Sequence, residues 1–176
     1  RTLRVPNVTI GAYGGEIVAT EAWLDSQTRD WQAELQYSHI DLESLMGGFG
    51  VEGKDAPGGV LRGRVALQGQ AMSRQRLDGK GHLRIDRGRL YDVPFFLSIF
   101  SVLDLGMPSQ SPISDAYGTY SLGEGKLKIE DLLFSGGGMP VHVEGTVGLQ
   151  EEVAIQNQPI NLVVTVTERK GILNSL

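Results

Sequence analysis

The sequence contains no cysteine, and this absence removes a whole set of chemistries. Disulfide bonds, cysteine-ligated zinc sites and a cysteine nucleophile are all excluded. The absence does not assign a compartment, because a chain without cysteine is compatible with oxidising and reducing surroundings alike.

The sequence also lacks an apolar run of the roughly 18 to 20 residues that a membrane-spanning helix needs. Its longest apolar stretch, 93–105, is interrupted by Ser98, Ser101 and Asp104. The chain begins at Arg1 without the apolar core of a signal peptide. We therefore interpret it as a piece of a longer protein, with any targeting segment outside it.

Positive charge and aromatic residues are both scarce. The net charge is −5 and the pI about 5.2, so the basic footprint of a nucleic-acid-binding domain is missing. Aromatic residues make up 7% of the 176 residues. Glycine is abundant by contrast, because the Gly 24 count of the composition is about twice the usual share of about 7%. The length and composition are typical of one globular domain.

Most segments alternate apolar and polar residues, which predicts half-buried β-strands. The clearest examples are 31–37, where Trp31, Ala33, Leu35 and Tyr37 share one face, and 141–149. Further strands are expected at 4–10, 16–24, 60–69, 77–85, 89–93, 126–130 and 160–166.

A short pattern, Gly-x-apolar-x-apolar, recurs along the chain. It starts at Gly63, Gly81, Gly118 and Gly145, at spacings too irregular for a solenoid. Two copies continue into a strand, a glycine-containing turn and a second strand, with Gly88 and Gly125 placed where a hairpin needs φ > 0. The sequence therefore predicts an antiparallel meander of hairpins with inserts.

Two inserts are predicted as short helices. Pro94 suits a first helical position and Gly106 a helix end, so 94–105 is predicted as a helix of unusually apolar character. Its three interpretations are core packing, a lid over an apolar groove, and a surface that meets a membrane. The second helix, 41–46, is stopped by Gly47-Gly48. The segment 106–115 is predicted as a mobile loop.

None of the candidate catalytic or metal-binding motifs has the sequence context that its chemistry requires. Gly48–Gly53 matches G-x-G-x-x-G, but a helix precedes it and no βαβ unit follows, so it is interpreted as a turn. His39, His82 and His142 have no metal-ligand spacing. Ser135 and the glycines after it indicate a hairpin loop rather than a hydrolase site. We predict no enzyme, no cofactor and no metal.

The region 58–150 resembles the C-terminal region of the AsmA-like family, which is related to TamB-type bacterial envelope proteins. The resemblance is carried by Leu77–Leu90, Val93-Pro94 with the apolar helix, Gly125–Leu132 and Gly145-Thr146-Val147. It implies an inner-membrane anchor outside this chain, a periplasmic location, and a long curled sheet. In such proteins the apolar groove of the sheet is thought to conduct phospholipid acyl chains between the inner and outer membranes.

With that resemblance, the expected fold is mainly β: residues 1–176 form one β-rich segment, a curled antiparallel sheet with one or two short helices. The partner is expected to be a phospholipid or another acyl-chain lipid, with further envelope proteins and without nucleic acid. The residues expected to line the groove are Leu83, Ile85, Tyr120, Leu122, Leu127, Ile129, Val143, Val147, Leu162 and Val164. The helix expected to cap it presents Phe95, Phe96, Ile99, Phe100 and Leu103.

Three other functions remain open at this point. The chain could be an assembly factor that offers sheet edges to client outer-membrane proteins. It could be an unrelated β-sandwich that binds carbohydrate, although Trp23 and Trp31 are its only tryptophans and both fall in expected strands. An enzyme has the least support.

Overall fold

The computed structural model describes residues 1–48, 57–71, 73–89, 113–136, 140–150 and 158–167. Within these ranges the chain forms one antiparallel sheet of nine strands, not closed into a barrel, and one short α-helix. The predicted fold class is confirmed. The described strands form a single sheet, not the two packed sheets that the sandwich alternative requires.

Every strand pairs with its neighbours in sequence, so the predicted meander is confirmed. The helix α1 spans Leu42–Gly47, as predicted, between the third and fourth strands. The predicted helix 94–105 lies outside the described residues. The strands are β1 (Thr2–Ala12), β2 (Gly15–Asp25), β3 (Asp30–Asp41), β4 (Gly58–Gln70), β5 (Leu77–Arg89), β6 (Ile113–Gly123), β7 (Lys126–Gly136), β8 (Val141–Gly148) and β9 (Ile160–Val166).

Two hairpins use tight turns with positive φ at both central residues, the combination that matches the twist of paired strands. Tyr13 and Gly14 join β1 to β2 with φ of 49° and 74°. Glu124 and Gly125 join β6 to β7 with φ of 52° and 67°. The turn predicted at Gly125 is therefore confirmed.

The turn predicted at Gly88 is wrong, because β5 runs through this residue to Arg89. The rest of the strand expected at 89–93 lies outside the described residues. The positive φ belongs to Arg87, at 54°, and marks a bulge rather than a hairpin. On the partner strand, a Cβ added to Gly59 would lie 2.9 Å from the Cα of Gly88. Gly59 thus permits a close approach of its backbone to that of Gly88. The loop predicted for 106–115 also ends early, since β6 begins at Ile113.

The pairing register separates an apolar face from a polar face, because directly paired residues point the same way. Paired polar side chains on the other face include Arg64 with Gln36 and His82, and Lys80 with Ser121. One row of the apolar face runs across all nine strands as Ile10, Ile17, Tyr37, Gly63, Leu83, Gly118, Leu132, Val143 and Val164.

The sheet is curled toward its apolar face. Helix α1 follows β3, yet its Leu42 belongs to the same buried cluster as Phe134 of β7 and Val143 of β8. In a flat sheet with strands about 4.8 Å apart, β3 and β8 would be separated by about 24 Å. Bulges in several strand pairs, including β2–β3, β3–β4 and β7–β8, increase the local twist that permits the curl.

Candidate functional site: an apolar cavity on the concave face

The concave face bounds an open cavity of about 410 Å³. Most of its lining side chains are half-buried rather than buried, so it is open to solvent. Strands β2 to β7 and helix α1 all contribute, and the polar side chains are few. The lining consists of Tyr13, Ile17, Leu35, Tyr37, Ile40, Leu45, Leu61, Leu83, Gly118, Thr119, Tyr120, Leu127, Ile129 and Leu132. We call this space the apolar cavity.

By register, the ten residues expected to line a groove share the concave face. Four line the apolar cavity itself: Leu83, Tyr120, Leu127 and Ile129. Four belong to the buried cluster beneath α1 or pack against it: Ile85, Val143, Leu162 and Val164. The last two, Leu122 and Val147, flank Leu127 in one cross-strand row. Contact of these residues with lipid stays a prediction.

The residues expected to cap the groove, Phe95 to Leu103, lie outside the described residues. In the described part of the chain, α1 bounds the apolar cavity, with Leu45 in its lining and Leu42 in the adjacent packed cluster. Sequence reasoning treated α1 only as an insert. The signal was present in the spacing of Leu42, Leu45 and Met46, which places three apolar side chains on one helical face.

Helix α1 is held in place at its first turn. The Asp41 carboxylate accepts hydrogen bonds from the backbone N–H and the hydroxyl of Ser44, at 2.8 and 2.6 Å. These bonds lower the pKa of Asp41, the side-chain bond to Ser44 most strongly. The Asp41 N–H donates to the Tyr13 carbonyl at 2.8 Å, which ties the helix to the β1–β2 turn.

Two tyrosine rings lie across glycines on the floor of the apolar cavity. A Cβ added to Gly63 would lie 2.5 Å from the Tyr37 hydroxyl oxygen, and one added to Gly81 would lie 2.7 Å from Cζ of Tyr120. The rings occupy the space that side chains at 63 and 81 would fill. The recurring glycines therefore flatten the floor and keep the cavity open.

The two hydroxyls meet inside this otherwise apolar space. Tyr37 Oη donates to the His82 carbonyl oxygen at 3.0 Å, and it lies 3.4 Å from Tyr120 Oη. Burial raises the pKa of both phenols, and the contact with Tyr120 raises that of Tyr37 further. Both groups are consequently protonated near neutral pH.

The opposite face carries exposed ion pairs, and most of these charged side chains line a polar depression there. Arg62 and Arg84 both contact Asp86, at 2.8 and 2.7 Å, and Arg64 contacts Glu34. Exposed pairs of this kind contribute little to stability, about 0 to 1 kcal/mol each. They indicate a solvated surface.

The described residues contain no group of three or more His, Asp or Glu side chains that could hold a metal ion. His82 is exposed, and His142 Nδ1 lies 3.5 Å from a carboxylate oxygen of Asp131 in a solvent-accessible pair. Among the described helices, none is long and apolar enough to cross a membrane. The apolar cavity is thus the candidate site.

The functional assignment of this chain rests on the geometry of the apolar cavity. No protein family model, curated protein or solved structure matches the chain.

Proposed function

We propose that the apolar cavity holds acyl chains of a phospholipid, in a non-enzymatic, periplasmic segment of an AsmA-like envelope protein. The segment would contribute one stretch of a conduit for lipid between inner and outer membranes, tethered by an anchor outside this chain. The observation that carries the proposal is an open cavity with an almost wholly apolar lining on the concave side of a curled sheet.

Two physical arguments support an acyl chain as the occupant. Contact with hydrocarbon requires no particular polar residue, and burial of each CH₂ group contributes about 0.8 kcal/mol. The cavity volume of about 410 Å³ lies within the range of small-molecule sites, about 300 to 1,000 Å³.

Native mass spectrometry of the purified protein, followed by extraction of bound lipid, tests the proposal. Ile129→Trp would fill the cavity without adding charge, and Leu83→Asp would place a charge on its floor. Val163→Asp is the matched control, since Val163 lies on the opposite face with 64% of its surface exposed. Bound phospholipid should be present in the wild type and the control and reduced in both cavity variants. A wild-type protein that never retains lipid would refute the proposal.

One observation favours a second candidate, an assembly factor that pairs with client strands. Within the described residues, β1 and β9 each pair on one side only, and β9 exposes Ile160 and Val163. A client strand added at β9 should protect its amides from hydrogen exchange while leaving bound lipid in place. Protection confined to the cavity strands would count against this function.

A further inference from the structure

The two tyrosines in the apolar cavity do not have equivalent hydroxyls. A phenol carries one proton, and Tyr37 directs its proton to the His82 carbonyl oxygen at 3.0 Å. Tyr37 Oη can then act toward Tyr120 only as an acceptor. The proton of Tyr120 is therefore the one that remains for another partner.

The present partner of that proton is a poor one. The oxygens of Tyr37 and Tyr120 are 3.4 Å apart, beyond the usual 2.5 to 3.0 Å of an O–H···O bond. A hydrogen-bond acceptor that entered the cavity at normal distance would bind this proton better. The surrounding apolar side chains strengthen such a bond, because the local dielectric constant is low.

We propose that Tyr120 donates a hydrogen bond to the carbonyl oxygen of an ester-linked acyl chain. This inference rests on the proposed lipid-binding function and specifies the ligand class for the same cavity. An ester carbonyl accepts hydrogen bonds without donating any, which matches the single available proton. It also marks the start of the hydrocarbon chain, so the chain beyond it can follow the apolar floor.

The position of Tyr120 suits this role. It pairs across the sheet with Gly81 on one side and Ile129 on the other, and both neighbours leave it surrounded by apolar lining. Its ring lies against Gly81, which fixes where the hydroxyl points. The bond from Tyr37 to the His82 carbonyl directs the oxygen of Tyr37, rather than its proton, toward Tyr120, so Tyr37 does not compete with Tyr120 as a donor.

The test compares two phospholipids that share headgroup and chain length but differ in linkage: diester phosphatidylethanolamine and its diether analogue, which lacks both carbonyls. Competition between them is measured by native mass spectrometry on the purified protein. The wild type should prefer the ester by about 3- to 10-fold, the value of one neutral hydrogen bond. Tyr120→Phe should bind both lipids equally. Tyr117→Phe is the matched control, on the opposite face and 53% exposed, and should keep the preference.

A second variant separates donation from packing. Tyr37→Phe keeps the ring over Gly63 but removes the competing acceptor, so the ester preference should persist. Loss of the preference in this variant, with its circular dichroism spectrum unchanged, would transfer the donor role to Tyr37 and overturn the inference. Equal binding of ester and ether by the wild type would also overturn it while leaving the lipid-binding proposal intact. If neither lipid binds the wild type, the proposed function itself fails.

Discussion

Replacement of Gly81 by alanine tests whether the tyrosine floor depends on the glycines. The new Cβ would lie 2.7 Å from Cζ and Oη of Tyr120 and 2.8 Å from the Arg64 carbonyl oxygen. Carbon atoms pack about 3.5 to 4.0 Å apart, so the ring must retreat by about 1 Å. Overpacking of this size costs about 1 to 3 kcal/mol. We expect the free energy of unfolding in urea to fall by that amount.

The matched control is Gly11→Ala, also in a strand, where an added Cβ meets no atom within 4 Å. This variant should match the wild type or gain up to about 1 kcal/mol, because alanine restricts the unfolded chain. Gly81→Ala should cost less in a Tyr120→Ala background, where the ring is gone and only the carbonyl contact remains. Equal stability of Gly81→Ala and Gly11→Ala would refute the proposed packing of Tyr120 on Gly81.

Three further predictions concern stability. Phe134→Ala should lower the free energy of unfolding by about 3 to 5 kcal/mol, because Phe134 is buried in the cluster beneath α1. Val163→Ala on the exposed face should change it by no more than about 0.5 kcal/mol, and thermal melts that rank the two variants the other way would contradict the assigned core. Asp41→Ala should lower the free energy of unfolding by about 1 kcal/mol through loss of the helix cap. Because the folded pKa of Asp41 is lowered, the contribution of Asp41 to stability should be present above pH 3.8 and disappear as the pH falls below it; an Asp41→Ala variant with wild-type acid denaturation would be inconsistent with this. Burial raises the folded pKa of Tyr37 and Tyr120, so their contribution to stability should be complete below pH 10 and decrease as the pH rises above it. In urea titrations between pH 9 and 11, the Tyr37→Phe, Tyr120→Phe double variant should lose less stability than the wild type, and an equal loss would argue against burial of these phenols.

Local patterns predicted the strands because a strand reveals itself through a period of two residues. The alternation fails where a bulge inserts an extra residue, and the strand boundaries predicted at those positions differ from the observed ones. In β3 it stopped at Tyr37, although the strand continues to Asp41 beyond His39, whose φ is 55°. The same effect disguised the bulge at Arg87 as a hairpin at Gly88. One inserted residue changes the face of everything after it, so Ile40 was missed as a core residue.

The candidate site was only partly predictable, for a different reason. Residues such as Leu83 and Ile129 could be assigned to one face from parity alone. The position of α1 over the curl depends on contacts between Leu42 and strands far along the chain, which no local pattern encodes. The packing of Tyr120 on Gly81 likewise depends on the pairing register of β5 with β6. Only the recurrence of glycine two residues from a bulky apolar residue hinted at it.

The strict neighbour-to-neighbour pairing of the nine described strands has a consequence for how the protein folds. No described strand must wait for a strand other than its neighbours in sequence before it pairs, so each step of sheet growth closes only the connection to the next strand. A chain that emerges gradually, from a ribosome or a translocation pore, could add strands one hairpin at a time. The exception is α1, whose cluster needs β7 and β8. Completion of the buried core should therefore be the last event, after the early strands already form a sheet with one growing edge.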